Sequence, residues 1–349
     1  MTPDLEIAQA REQWSPHGVY LNTASYGLPP RAAFDALQQA LGDWQQGRTS
    51  WEHWGESSER ARQAFAAMVG VASEQVAIGA NVSTFMGLIA ASLPEGARVL
   101  APDVEFTSSL FPFLVQETRG VRVTTVAPAQ LADAVGADTD VVVFSAVQMS
   151  TGEVADLDAV VAACEAHDAM TVLDATQACG WLPLDASRFD AVVCSAYKWL
   201  MSPRGTAFMY VSDARLEAIR PNNAGWYAGE DVHSSYFGPP LRLARSARRL
   251  DISPAWFSWV GTAPAVELIN RIGVETVYRH DVALANRFRT GLGLEPGNSA
   301  IVSFDLPGGA ERLERAGIVA ALRGGRVRVS WHVYNTDEDV DRALEALAA

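Results

Sequence analysis

Between residues 76 and 211, short apolar runs rich in β-branched residues alternate with longer amphipathic stretches. The runs that we predict as strands are Val76–Ile78, Arg98–Ala101, Val121–Val126, Val141–Ser145, Met170–Leu173, Ala191–Ser195 and Ala207–Val211. Helical stretches lie between them, for example Thr84–Ser92 and Leu157–Ala166. This alternation is typical of βαβ units in a mostly parallel sheet covered on both faces. The predicted fold class is therefore α/β, with a seven-stranded sheet whose ligands bind beyond the carboxyl ends of the strands.

The pattern changes after residue 220. Pro221–Pro240 is rich in Gly, Pro, Asn and aromatic residues, which predicts a long functional loop. The later elements that we predict are helices Thr262–Arg271 and Tyr278–Gly291, strands Ala300–Leu306 and Arg326–Val329, and a helix from Asp337. Because 349 residues suit one large core and a smaller one, we predict a large domain over residues 18–250. A smaller α+β domain is predicted over residues 251–349, together with residues 1–17.

Composition and charge exclude several classes of protein. The 27 Lys and Arg against 41 Asp and Glu give a net charge of −14, which disfavours binding to nucleic acid or anionic membranes. No signal-peptide pattern is present, and no apolar run approaches the ~20 residues that span a bilayer. Cys164, Cys179 and Cys194 lack metal-binding spacing and fit a reducing compartment. We therefore expect a cytoplasmic protein without a metal site, in which local devices hold any anionic ligand.

Three strand ends carry residues with chemical potential. Gly79–Thr84 opens a helix with small and hydroxyl residues, which suits either an anion site or a plain helix cap. Asp174 directly follows an apolar strand and could be a cap, a metal ligand or a charge partner. Lys198 is followed by the apolar Trp199-Leu200-Met201, so it is either a partly desolvated amine suited to Schiff-base chemistry or a solvated surface lysine.

These three features together match what pyridoxal 5′-phosphate (PLP) requires of a protein. The aldehyde needs a lysine, the pyridinium nitrogen needs a carboxylate, and the phosphate needs N–H donors. Lys198, Asp174 and the Gly79–Thr84 helix start supply one group each. The sequence therefore predicts a PLP-dependent enzyme.

From Tyr20 to its end, the chain resembles the class V aminotransferases of PLP fold type I. That family includes cysteine desulfurases, kynureninases and isopenicillin N epimerase-like proteins. The stretches that carry the resemblance are Thr151-Gly152, Asp174-Ala175-Thr176-Gln177 and Ser195-Ala196-Tyr197-Lys198. The resemblance implies a PLP-binding large domain, a smaller C-terminal domain and a homodimer.

The resemblance also assigns roles to single residues. It implies that Lys198 forms the Schiff base and that Asp174 contacts the pyridine nitrogen. The residues implied at the ring are Phe106, which stacks on it, and Gln148 and Gln177 near its hydroxyl. Those implied at the phosphate are Ser83, Thr84, Ser195, Tyr197 and, across the dimer, Thr262. Arg328 matches the arginine that pairs with the substrate α-carboxylate through a planar fork, whereas we expect Arg323 and Arg326 to be solvated and silent.

The chain also departs from the family pattern. Many members have His before the lysine and His over the ring, where this chain has Tyr197 and Phe106. Ala146 stands where a polar group is usual. No cysteine follows Cys194, so the nucleophilic thiol of a cysteine desulfurase is missing and we do not expect that reaction.

Four functions stay open at this point, one of them an α/β enzyme that does not use PLP. The first is transamination of an α-amino acid, and the second is a Cα/Cβ lyase, such as a C–S lyase or a kynureninase-like enzyme. The third is a PLP-fold protein that binds a ligand without turnover; intact Lys198, Asp174 and Arg328 argue against it. An aromatic cluster fits either a substrate pocket or a dimer interface. Its members are Trp226, Tyr227, Tyr236, Phe237, Trp256, Phe257 and Trp259.

Overall fold

The computed structural model describes residues 4–348, and these contain a large sheet and two small ones. The strands are β1 Val19–Tyr20, β2 Val76–Gly79, β3 Arg98–Pro102, β4 Arg122–Val126, β5 Val141–Ser145, β6 Met170–Asp174, β7 Ala191–Ser195, β8 Ala207–Val211, β9 Ile301–Phe304, β10 Ile318–Val319, β11 Ala321–Arg323 and β12 Arg326–Ser330. All seven strands predicted between residues 76 and 211 are present, with ends that differ by at most one residue. These seven form one sheet, in the order β2-β8-β7-β6-β5-β3-β4.

The large sheet is mostly parallel, which confirms the predicted fold class. Strands β3 to β7 run parallel to one another, and β8 is antiparallel to both of its neighbours, β2 and β7. Most of these strands are buried on both faces, as expected for apolar runs in a covered parallel sheet. Ser145 pairs in register with Asp174, so the carboxyl ends of β5 and β6 lie side by side.

Helices cover the large sheet and frame the smaller ones. They are α1 Ile7–Ala10, α2 Arg31–Gln45, α3 Trp51–Met68, α4 Val82–Ser92, α5 Thr107–Leu114, α6 Leu157–His167, α7 Asp213–Leu216, α8 Trp256–Ile272, α9 Val274–Gly291, α10 Gly309–Arg315 and α11 Asp337–Ala348. The Asn81 side chain accepts from the Thr84 N–H and starts α4, where β2 has just ended. Helices α8 and α9 begin earlier than predicted, at Trp256 and Val274.

The C-terminal part contains the antiparallel sheet β11-β12-β9. Strands β11 and β12 form a hairpin through Gly324-Gly325, whose φ angles of 54° and 79° suit a tight turn that only glycine adopts easily. Helix α8 packs along α2 and α3, whereas α9 and α11 pack on each other. The predicted division between residues 250 and 251 stays a prediction; residues 1–3 and 349 of the predicted small domain lie outside the described residues.

The segment predicted as a long loop is irregular, with only short 3₁₀ turns at Trp226–Ala228 and His233–Ser235. Strand β1 adds a parallel pairing with β10 and so ties the N-terminal segment to the C-terminal part. Within residues 4–348, no helix combines the length and the apolar content that crossing a lipid bilayer requires.

Candidate active site

A cavity of about 310 Å³ lies where strands β5, β6 and β7 end, with Ser145, Asp174 and Ser195 in its wall. The predicted site residues that line it are Ser83, Phe106, Asp174, Gln177, Ser195, Tyr197 and Lys198. The sheet topology brings them together because the carboxyl ends of parallel strands meet at one edge.

Lys198 is the only lysine in the 349 residues, a signal that the motif-based prediction did not use. Its side chain is 6% exposed, and its Nζ lies 5.7 Å from the ring centroids of both Phe106 and Tyr197. Burial lowers the Lys198 pKa to about 8; the nearby Asp174 carboxylate opposes this shift, and the Arg328 charge adds to it. The only ε-amine of the chain therefore lines the cavity, and its pKa is lower than that of a solvated lysine.

The backbone around Lys198 is fixed by a close approach of the N-terminal segment. The Gly27 N–H donates to the Tyr197 carbonyl at 2.9 Å. A Cβ atom at Gly27 would lie 1.9 Å from the Lys198 carbonyl oxygen, so only glycine fits there. The loop between β1 and α2 thereby holds the lysine segment in place.

Asp174 is a buried carboxylate, 4% exposed, at the end of β6. It accepts hydrogen bonds from the Thr176 N–H at 2.9 Å and from the Ser109 hydroxyl at 2.7 Å. Within residues 4–348, no cation lies within 4.0 Å of its oxygens. A buried carboxylate with no cation in direct contact suits a cationic ligand group, and a protonated pyridine nitrogen is such a group.

PLP also has an anionic phosphate, and the start of α4 is a candidate site for it. Ala80, Asn81, Val82 and Ser83 line the cavity, and the helix N-terminus favours a phosphate there. The Ser83 and Thr84 hydroxyls both donate to the Asn81 side chain, and only Ser83 of the two lines the cavity.

Gln148 and Thr262 are not brought to the cavity in this chain. The Gln148 carbonyl accepts from the backbone of its own loop, its amide donates to the Val104 carbonyl, and its side chain lines a separate cavity of about 370 Å³. Thr262 is fully buried, donates to the Ser258 carbonyl and lies 3.1 Å from the Thr206 hydroxyl. The roles predicted for both residues therefore rest on the resemblance alone.

Arg328 lies next to the cavity although it does not line it. It is 1% exposed, and it donates to the Met149 carbonyl and the Ser25 hydroxyl, both at 2.6 Å. Met149 itself is part of the cavity wall. Burial, with a smaller effect from Arg323, lowers the Arg328 pKa to about 10. The expectation that Arg323 is solvated is wrong, because it is half-buried and donates to the same Ser25 hydroxyl at 3.1 Å.

A buried histidine holds the backbone on the other side of Lys198, and the sequence did not reveal this role. His332 Nε2 lies 3.0 Å from the Trp199 carbonyl oxygen, and its Nδ1 lies 2.9 Å from an Asp281 oxygen. His280 contacts the other Asp281 oxygen at 2.9 Å. A carbonyl only accepts, so Nε2 donates to Trp199. No local motif links positions 199, 281 and 332.

The aromatic cluster does not line this cavity within one chain. Trp226 packs on Trp51 at a centroid distance of 5.0 Å. Phe257 packs on Trp44 and Trp54 at 5.3 and 5.0 Å. The cluster therefore joins α2, α3, α8 and the long loop.

A buried lysine, a buried carboxylate and a helix N-terminus, at one edge of this seven-stranded sheet, define a PLP-dependent enzyme of fold type I. The family model for class V aminotransferases matches residues 19–304, and the chain belongs to that family. The cofactor of the enzyme is PLP.

The relatives of this chain cover several activities. It is 27% identical to the isopenicillin N epimerase of Streptomyces clavuligerus, over 99% of this chain and 98% of that protein. It is 24% identical to the kynureninase of Deinococcus radiodurans, over 77% of this chain and 70% of the other. Among solved structures, the cystine C–S lyase C-DES with cysteine persulfide superimposes with a TM-score of 0.86 at 23% identity, covering 95% and 97% of the two chains. This last likeness shows the fold.

Proposed function

We propose that the enzyme transaminates an α-amino acid and that Lys198 both holds the cofactor and carries the Cα proton. The observation that supports this most directly is that the only lysine of the chain is buried in the cavity with its pKa lowered to about 8. A general base is most effective when its pKa lies near the working pH. When bound, PLP supplies an electron sink for the charge left on Cα after proton removal.

The remaining residues serve binding and orientation in this proposal. Asp174 keeps a positive charge on the ring nitrogen, and Ser109 and the Thr176 N–H keep the Asp174 carboxylate aimed. Arg328 binds the α-carboxylate of the substrate. The start of α4, with Ser83 and Ser195, holds the phosphate.

Transamination and elimination differ in their need for a second substrate. We expect purified holoenzyme to convert an amino acid to its keto acid only when an acceptor keto acid is present, and without ammonia release. Keto acid and ammonia formed in equal amounts without an acceptor would instead identify a lyase. A screen of amino acids that follows both products, with heat-denatured enzyme as the control, separates the two activities.

We further propose a cytoplasmic homodimer; the contact of Thr262 with the phosphate site of the neighbouring subunit stays a prediction from the resemblance, since Thr262 is fully buried in the single chain. Large exposed apolar side chains support an interface: Phe34 on α2 is 50% exposed, Trp44 is 57% exposed and Phe237 in the long loop is 89% exposed. Three free buried thiols suit a reducing compartment. Sedimentation equilibrium should give twice the chain mass, and a monomer that retains full activity would contradict the dimer.

A further inference from the structure

Arg323 and Arg328 form a pair of guanidinium groups beside the cavity. Register pairs Arg328 with Ala321 across the β11–β12 hairpin, so Arg323, two residues further on, is its diagonal neighbour on the same face. Both side chains donate to the same Ser25 hydroxyl. The two groups therefore converge on one point from adjacent strands.

Protein groups do not neutralise this pair. Within residues 4–348, no carboxylate lies within 4.0 Å of either guanidinium. Arg328 also buries an Nε that has no hydrogen-bond partner. Two neighbouring positive charges repel each other, and the repulsion is stronger where burial excludes water. In a chain of net charge −14, two adjacent cations without a carboxylate partner are a feature that requires an explanation.

The pair also acts on the catalytic amine. Arg328 donates to the carbonyl of Met149 in the cavity wall, and Arg323 reaches the same Ser25 hydroxyl as Arg328, so both guanidinium groups lie next to the cavity. Their charges both contribute to lowering the Lys198 pKa. Arg326 provides a contrast, because it is exposed and its guanidinium donates to Ser303 on β9. The charge beside the cavity therefore comes from Arg323 and Arg328 and not from every arginine of the hairpin.

We propose that the substrate is an α-amino acid whose side chain ends in a second anionic group, a carboxylate or another oxyanion. Arg328 binds the α-carboxylate, and Arg323 binds the side-chain anion. One carboxylate brings a single negative charge, which leaves one guanidinium uncompensated, whereas a dianion balances both. The inference rests on the proposed amino-acid function, which assigns the α-carboxylate to Arg328.

Unreactive ligands test this without any turnover. Calorimetry on the holoenzyme would compare glutarate with butyrate, which is glutarate with one carboxylate replaced by hydrogen. We expect glutarate to bind about ten- to a hundredfold more tightly, the value of one charge-assisted contact. Arg323→Gln should reduce glutarate affinity to that of butyrate and leave butyrate unchanged, with Arg323→Lys in between. Arg326→Gln, on the same hairpin, should change neither affinity.

Two outcomes would overturn the inference. Equal affinity of the wild-type enzyme for glutarate and butyrate would show that no second anion site exists. An Arg323→Gln variant that loses affinity for both ligands equally would show that the two guanidinium groups share one carboxylate. Failure of the proposed function looks different: an Arg328→Gln variant with normal butyrate affinity removes the α-carboxylate assignment, and ammonia release in the product screen removes transamination.

Discussion

Replacing His332 by Ala should destabilise the enzyme and slow it at the same time. The substitution removes the donor to the Trp199 carbonyl and leaves the Asp281 carboxylate buried with only His280 as a partner. His332 and Asp281 are both fully buried. Removing one partner of a buried hydrogen bond leaves the other group unsatisfied, which costs about 1–3 kcal/mol. We expect the free energy of unfolding to fall by that amount.

Urea denaturation followed by tryptophan fluorescence and by cofactor absorbance measures the loss. His332→Gln can keep a donor toward Trp199 and should recover part of both stability and kcat. A double-mutant cycle of His332→Ala with Asp281→Ala should give a coupling of at least about 1 kcal/mol, because the two side chains share one bond. His280→Ala, on the more exposed side of Asp281, is the matched control and should cost less.

The reasoning would be refuted by a His332→Ala enzyme that loses no more than about 0.5 kcal/mol, which is the range of an ordinary surface change. A variant with lower stability but unchanged kcat would show that His332 holds the two parts of the chain together without positioning Lys198.

Four further results are expected. Borohydride reduction should fix one pyridoxyl group per chain on Lys198; because no other lysine exists, a label on the chain's α-amine or none at all would contradict the assignment. With a Lys198 pKa of about 8, about one tenth of the amine is neutral at pH 7, so PLP capture by apoenzyme should quicken as pH rises and level off above about 8.5; a pH-independent rate would refute this. Asp174→Ala should keep some cofactor but lose most of the rate, at a cost of about 3–5 kcal/mol in transition-state stabilisation, and near-normal turnover would disprove its role. Free cysteine should yield no sustained persulfide on the protein, because no cysteine follows Cys194 in the sequence. A mass spectrum of the protein after incubation with cysteine would reveal any added sulfur.

The sequence predicted the large sheet well because strands such as Val141–Ser145 are apolar on both faces and end at clear polar positions. It placed Asp174 and Lys198 in one site because both follow such strands. Helices α2 and α3 were not predicted; α2 begins at Arg31 without a side-chain cap, although its large apolar residues Phe34, Leu37, Leu41 and Trp44 recur at helical spacing.

Contacts between distant segments were beyond the sequence. The Ser109 hydroxyl donates to Asp174, and His332 donates to the Trp199 carbonyl. Several helices and strands separate the two residues of each pair in the sequence, so only the packing of those elements brings them together. Arg323 looked like an exposed hairpin residue, and the shared bond to Ser25 became visible only when the N-terminal loop was placed beside the C-terminal sheet. Local pattern predicts elements, whereas such contacts depend on how those elements pack.

The position of β2 has a consequence for how the protein is made. Strand β2 leads into the start of α4, where we propose that the phosphate binds, and its only strand neighbour is β8, with Val76 paired to Tyr210. During synthesis, β2 therefore stays without a strand partner until β8 has left the ribosome. Such long-range pairing forms slowly and exposes aggregation-prone edges meanwhile. Cofactor capture is thus a late event in the life of the nascent chain, and chains truncated before residue 207 should not acquire PLP.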